Sequence, residues 1–299
     1  MSAPTNNTNP VSFGGQPLAP LPGMLARSVL TLRRAGEPEL RQLRGTYRIE
    51  ALERKHIEAY REALGGFVSE LPLTYLYLSA QRAHLALMLT PEFPWPVPGM
   101  VHVSNAITQL QPIDAQQGFD LVTTIKLPKP GGRRLRPAYC VEFVQAGQVV
   151  AVCDSIYQVM QAQPAGEPRS KAHPPAADDG WQALHDWQLE PSLGRDYARL
   201  SGDYNPIHIH PWLSRWFGFN QPIIHGMYMS GRAHAELELA LNQSLQRVDV
   251  TFKRPVALPA EVTLWHRHDG TTENGDIEGR YQVRRASDLH IMLEGSYRL

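Results

Sequence analysis

The same pattern runs through this chain twice. Leu73 to Leu89 (LTYLYLSAQRAHLALML) is long, mostly apolar and free of helix breakers. Strand-like runs follow it, beginning at Val101-His102-Val103 and continuing through Phe119 to Leu127, Tyr139 to Val144 and Val149 to Val159. Met227 to Leu241, with Ser230, Ala233, Leu237 and Leu241 on one stripe, is followed by Arg247 to Lys253, Glu261 to His268, Ile277 to Arg285 and Leu289 to Arg298. An apolar run of helix length, in the first copy without Gly or Pro, predicts a buried helix, and the alternating runs predict half-buried strands. The lead-ins also match. Tyr47-Arg48-Ile49-Glu50 corresponds to Trp187-Gln188-Leu189-Glu190, and Tyr60 to Leu64-Gly65-Gly66 corresponds to Tyr197 to Leu200-Ser201-Gly202. A period of about 140 residues means a duplicated domain rather than a solenoid.

Each copy therefore reads as a strand, a short helical segment, a long buried helix and about four antiparallel strands. That is α+β layering, one helix wrapped by a curved sheet. The hot-dog fold is such an arrangement, and two copies in one chain make a double hot dog. The expected divisions are a flexible tail over residues 1–24, an N-terminal hot dog over 25–160, a linker over 161–180 rich in Pro, Gly, Ala and charge, and a C-terminal hot dog over 181–299. Met24 to Gly45 reads as a basic, irregular lead-in.

Composition excludes some functions. Lys plus Arg and Asp plus Glu are 29 each, so there is no electrostatic case for nucleic acid or an anionic membrane. No apolar run approaches the roughly 18–20 residues that cross a bilayer. Met1 to Gly23 has neither a charged n-region nor an apolar h-region, so it does not read as a signal peptide. Cys140 and Cys153 are expected as reduced, buried thiols of a cytoplasmic protein.

Only the second copy carries candidate chemistry. Leu200-Ser201-Gly202-Asp203-Tyr204-Asn205-Pro206-Ile207-His208 puts an acid, a turn and an imidazole close together, and His225-Gly226 opens the second long helix. Opposite Gly202-Asp203 the first copy has Gly66-Phe67, with no Asn-Pro-x-His after it and no His-Gly before its helix. Adding water across an α,β-unsaturated thioester needs a base for water, a proton for the α-carbon and donors for the enolate-like oxygen. Asp203 and His208 suit the acid–base pair, and Asn205 can bridge them or orient the water. The unpaired N–H groups at the start of the helix after Gly226 suit the oxygen. Taken alone, Gly-Asp-x-Asn-Pro is an ordinary turn closed by Asx hydrogen bonds, and a lone His208 or His225-Gly226 has a structural reading too. The ordered combination, absent from the other copy, favours chemistry.

Other readings fit less well. His208-x-His210 with His225, or His266-x-His268, invites a metal, but neither comes with a nearby thiol or an HExxH pattern; none is expected. Ser201 and Ser230 lack a nucleophile elbow. Arg195, Lys253 and Arg254 could meet phosphates, although solvation is their default explanation.

LSGDYNPIH followed by QPIIHGMYMSG resembles the MaoC-like dehydratases, or (R)-specific enoyl-CoA hydratases of type 2, over Leu200 to Gly231, and more loosely over Trp181 to Leu299. The first copy resembles, more weakly, the degenerate N-terminal hot dog of two-copy members. The resemblance implies hydration of enoyl thioesters to (3R)-3-hydroxyacyl thioesters, or the reverse, in fatty acyl metabolism. It implies Asp203 and His208 as catalytic residues, and Asn205, Tyr204, Gly226 and His225 as substrate-binding ones. It also implies no metal or redox cofactor, with CoA or an acyl carrier protein arriving as part of the substrate. A homodimer is a further implication, which a light-scattering mass of one chain would refute. A hot-dog thioesterase and a non-catalytic acyl-CoA-binding protein are the alternatives.

Overall fold

The computed structural model describes residues 11–98, 100–129, 135–159, 180–216, 218–271 and 275–299. Its first copy contains β2 (Gln42–Ile49), α2 (Arg54–Ala63), α3 (Leu73–Met88), β3 (Val101–Gln109), β4 (Phe119–Lys126), β5 (Ala138–Gln145) and β6 (Gln148–Gln158), preceded by β1 (Val11–Pro17) and α1 (Leu21–Leu30). The second contains β7 (Gln182–Leu189), α4 (Leu193–Ser201), α5 (Pro211–Trp216), α6 (Gly226–Leu241), β8 (Arg247–Phe252), β9 (Ala260–Thr271), β10 (Ile277–Arg285) and β11 (Ile291–Arg298). All the strands join in one sheet of order β1-β2-β4-β5-β6-β3-β8-β11-β10-β9-β7. The seam is the antiparallel pair β3–β8, with Ser104 opposite Thr251 and Ile107 opposite Val248. Outward from it, β3-β6-β5-β4-β2 repeats as β8-β11-β10-β9-β7. This is a double hot dog with the duplication written as a pseudo-twofold.

Period-two patterning builds the core. Phe119, Leu121 and Ile125 on β4, with Tyr139, Val141 and Phe143 on β5, are buried, while their sequence neighbours are not. Leu73, Leu76, Ala80, Ala83 and Leu87 of α3 close over them. Each large apolar side chain so covered contributes about 1.5–3 kcal/mol. Arg34 caps the far end of α3 by donating to the Met88, Leu89 and Phe93 carbonyls at 2.8–3.1 Å, where a cation also meets the helix dipole.

The N-terminal expectation needs correction. Part of the stretch read as a tail is β1, which pairs parallel to β2 from Val11 opposite Leu43 to Pro17 opposite Arg48. Part of the irregular lead-in is α1, with Pro22 in its first turn. An edge strand of sequence VSFGGQP has no apolar alternation to reveal it. Residues 1–10 and almost all of the proposed linker, 160–179, lie outside the described residues. Both cysteines are free, and burial raises each thiol to about 12.

One interior group couples the fold to pH. His84 of α3 is fully buried between the Tyr139 and Tyr157 rings, at 4.9 and 6.0 Å. Neither of its nitrogens has a hydrogen-bond partner among the described residues. Burial, and secondarily His102, lowers it to about 3. Below pH 6.5 the unfolded chain takes up a proton here that the folded chain refuses, so stability falls as pH falls. At pH 5 the loss from this one group is about 2 kcal/mol. Urea midpoints at pH 7 and pH 5 are expected to differ by more in the wild type than in His84→Leu. Equal differences would refute the assignment.

Candidate active site

The acid and the imidazole are set by a chain reversal. The end of α4 is Gly202, at φ 76°, whose N–H donates to the Ala198 carbonyl at 2.8 Å. This left-handed position favours glycine, and a Cβ here would also overlap the Leu21 side chain of α1. Asp203 N–H then donates to Ser201 Oγ and Asn205 N–H to Asp203 Oδ1, each at 3.2 Å. Asn205 Oδ1 accepts from Ile207 N–H at 3.5 Å, capping a 3-10 turn over Pro206–His208. That turn lies hard against α4, because a Cβ on Gly194 would overlap the His208 carbonyl.

The result is a three-residue cluster. Ligand-type atoms of Asp203, His208 and His225 all lie within 4.8 Å of one another. His208 Nδ1 is 2.8 Å from the Ile223 carbonyl. A carbonyl only accepts, so Nδ1 carries the proton and Nε2 keeps its lone pair. His225 stacks on His208 at 3.7 Å and 29°, and its Nε2–H donates to the Asp203 backbone carbonyl at 2.9 Å. Both rings are buried, while Asp203 is half-buried.

Electrostatics fixes the protonation states. Burial pushes the Asp203 carboxyl up. The His225 and His208 imidazoles, the Gln81 amide and the Asn205 N–H outweigh it and hold the carboxyl below the usual carboxylate range. Burial, then His225, drives His208 far below the usual histidine value against the pull of Asp203. His225 is likewise lowered, chiefly by burial. At neutral pH the cluster is one carboxylate beside two neutral imidazoles.

Gly226 is the first residue of α6, so its N–H stands at the helix end where backbone donors lack intrahelical partners. A Cβ there would come within 2.5 Å of the Phe252 ring on β8. The glycine is thus required by packing as well as by access to the helix end.

The structure brings together Asp203, His208 and His225 and leaves two expected residues outside the cluster. The Tyr204 ring is 43% exposed. The Asn205 side-chain oxygen closes the turn rather than bridging the pair. Two further side chains differ from the sequence reading. His210 is exposed and accepts from Trp212 N–H at 3.1 Å, so the His208-x-His210 pairing does not form. Among the described residues, the group with metal-ligating geometry is Asp203, His208 and His225 themselves. The residue that sequence reasoning missed is Gln81, which reaches Asp203 from α3 of the other copy. Nothing in the local sequence marks it.

The model of the MaoC-like domain family matches residues 176–287, a span that contains the whole cluster. Residues 176–287 are a MaoC-like domain. The 3-hydroxyacyl-thioester dehydratase X of Mycobacterium tuberculosis is 29% identical over 223 residues, covering 70% of this chain and 75% of that protein. The 3-hydroxyacyl-thioester dehydratase Y of the same organism is 26% identical over 188 residues, 59% of each chain. The crystal structure of the Mycobacterium tuberculosis protein HtdX superposes with a TM-score of 0.63 at 23% identity, covering 84% of this chain and 98% of that one, which shows the shared fold.

Proposed function

We propose that this MaoC-like protein interconverts trans-2-enoyl and (3R)-3-hydroxyacyl thioesters by adding or removing water. The observation that carries the reading is the convergence of a carboxylate and a neutral imidazole beside the open end of α6. In hydration, a water held between Asp203 and His208 loses a proton to this pair as its oxygen bonds to the β-carbon. The same proton then passes to the α-carbon, so the atoms balance without a co-reactant. Charge collects meanwhile on the thioester oxygen, which the Gly226 N–H and the positive end of α6 stabilise. His225 holds the turn by its bond to the Asp203 carbonyl, and Gln81 steadies the carboxylate.

The names of the two dehydratase relatives support this substrate class. Residues 181–299 form the catalytic half in this reading, and 25–160 the half without an acid–base pair. The acyl group arrives on CoA or a carrier protein, with no resident redox cofactor. The cytoplasmic homodimer of the family likeness belongs to the same reading.

Incubation with enoyl-CoA is expected to consume the conjugated double bond and yield the (3R)-hydroxy product, without release of free thiol. Thiol release would instead indicate a thioesterase. Acid should inhibit late. The working state needs Asp203 ionised and His208 neutral, and both groups are lowered, so activity persists as pH falls through 6.5 and is lost only at more acid values. An acid limb centred at or above 6.5 would contradict these protonation states.

A further inference from the structure

On its buried side the cluster meets a block of aromatic rings from the first copy. Phe252, which packs on Gly226, lies 5.2 Å from the His102 ring on β3. His102 stacks on Tyr157 of β6 at 4.5 Å and 7°, and on Tyr77 of α3 at 5.3 Å and 12°. The two tyrosine hydroxyls bond to each other at 2.8 Å, and Tyr77 Oη lies 3.2 Å from His102 Nδ1. His102 Nε2 is buried and has no partner among the described residues. The Asp203 carboxylate acts electrostatically on all three of these rings, and Phe252 links them to Gly226. Tyr139 and His84 stand behind, with Tyr139 4.9 Å from Tyr157.

A thioester bound with its carbonyl at Gly226 and its β-carbon at Asp203 and His208 must send its acyl tail past those residues. On the one flank Tyr204 opens to solvent; on the other stand these stacked rings. A saturated tail running inward would have to displace rings that are hydrogen-bonded and close-packed. It would strip buried hydroxyls and an imidazole of their partners without offering any of its own. From this we propose that Tyr77, His102 and Tyr157 form a plug that ends the acyl pocket, making the enzyme selective for short acyl groups, with His102 as the specificity-determining residue. The proposal rests on the hydratase reading above and narrows its substrate class. The three rings come from two strands and a helix of the copy that has no acid–base pair, which gives that half a role at the site.

The test is a panel of enoyl-CoA lengths on the full chain. Wild type is expected to favour crotonyl-CoA over decenoyl-CoA by about tenfold or more in kcat/KM, since a few unaccommodated methylenes suffice for such discrimination. His102→Ala, which removes the stacked ring at its half-buried position, should move that ratio toward decenoyl-CoA by about tenfold. Comparable wild-type efficiency on both lengths would overturn the plug, and so would an unmoved ratio in a folded His102→Ala. The wild-type comparison stands even where the variant does not fold. Absence of hydration at every chain length would instead refute the underlying activity, so the two failures are distinguishable.

Discussion

Asp203→Asn is expected to lower kcat/KM for enoyl-thioester hydration by about 10²- to 10⁴-fold, and His208→Gln by a similar factor. Asparagine keeps the size of the side chain and an oxygen to accept the Asn205 N–H, which the carboxylate now binds at 3.2 Å. The fold is therefore expected to survive. What is lost is the charge and basicity that the neighbouring imidazoles and Gln81 maintain. Glutamine at 208 can still donate to the Ile223 carbonyl, replacing the 2.8 Å bond of Nδ1, but it has no basic lone pair to take a proton. Because the two groups handle one proton between them, the double variant should be little worse than the weaker single one. Steady-state kinetics beside thermal melting checks this. Turnover within threefold of wild type in a folded Asp203→Asn would remove the mechanism.

Much of this site was legible in the sequence because turn chemistry is local. Gly202, Asp203, Asn205 and Pro206 each act within two or three residues, and the duplicated pattern singled out the half that held them. The strands were legible for the same reason: β10 begins and ends where Ile277 to Arg285 alternates. Features made by contact between the copies could not be read. Gln81 is one side chain on an apolar helix, and only the pseudo-twofold aims it at Asp203. The apolar stripe of α6 was visible, yet His234 and Glu238 are as buried as Ala233 and Leu237, and nothing in their polar side chains marks this. β1 and α5 escaped because neither an edge strand with two glycines nor a six-residue helix carries enough periodicity.

Glu238→Ala is expected to cost about 3–5 kcal/mol of stability, the range for stranding the partners of a buried charge. Glu238 is fully buried at the last turn of α6. Its Oε1 accepts from His234 Nε2 at 2.9 Å and from Leu245 N–H at 3.0 Å; its Oε2 accepts from the Ser69 N–H at 2.9 Å and the Ser69 hydroxyl at 2.8 Å. Burial favours the neutral acid, but His234 and these N–H donors outweigh it and keep the carboxyl ionised. Alanine would leave the donors buried and unsatisfied, at about 1–3 kcal/mol each before relaxation. His234 stands in α6 where Gln81 stands in α3, counting from the start of two 16-residue helices. In the second copy Gln81 meets the Asp203 carboxylate; in the first, His234 meets Phe67, ring to ring at 5.2 Å, where the first copy has no acid. The counterpart of the Asp203 cluster in the first copy is thus a structural joint that ties Ser69 of one copy to α6 of the other. Urea unfolding should show Glu238→Ala and Ser69→Ala to be non-additive, since both remove the bond between the Ser69 hydroxyl and Glu238 Oε2. A loss below about 1 kcal/mol for Glu238→Ala, or additive losses, would refute this joint.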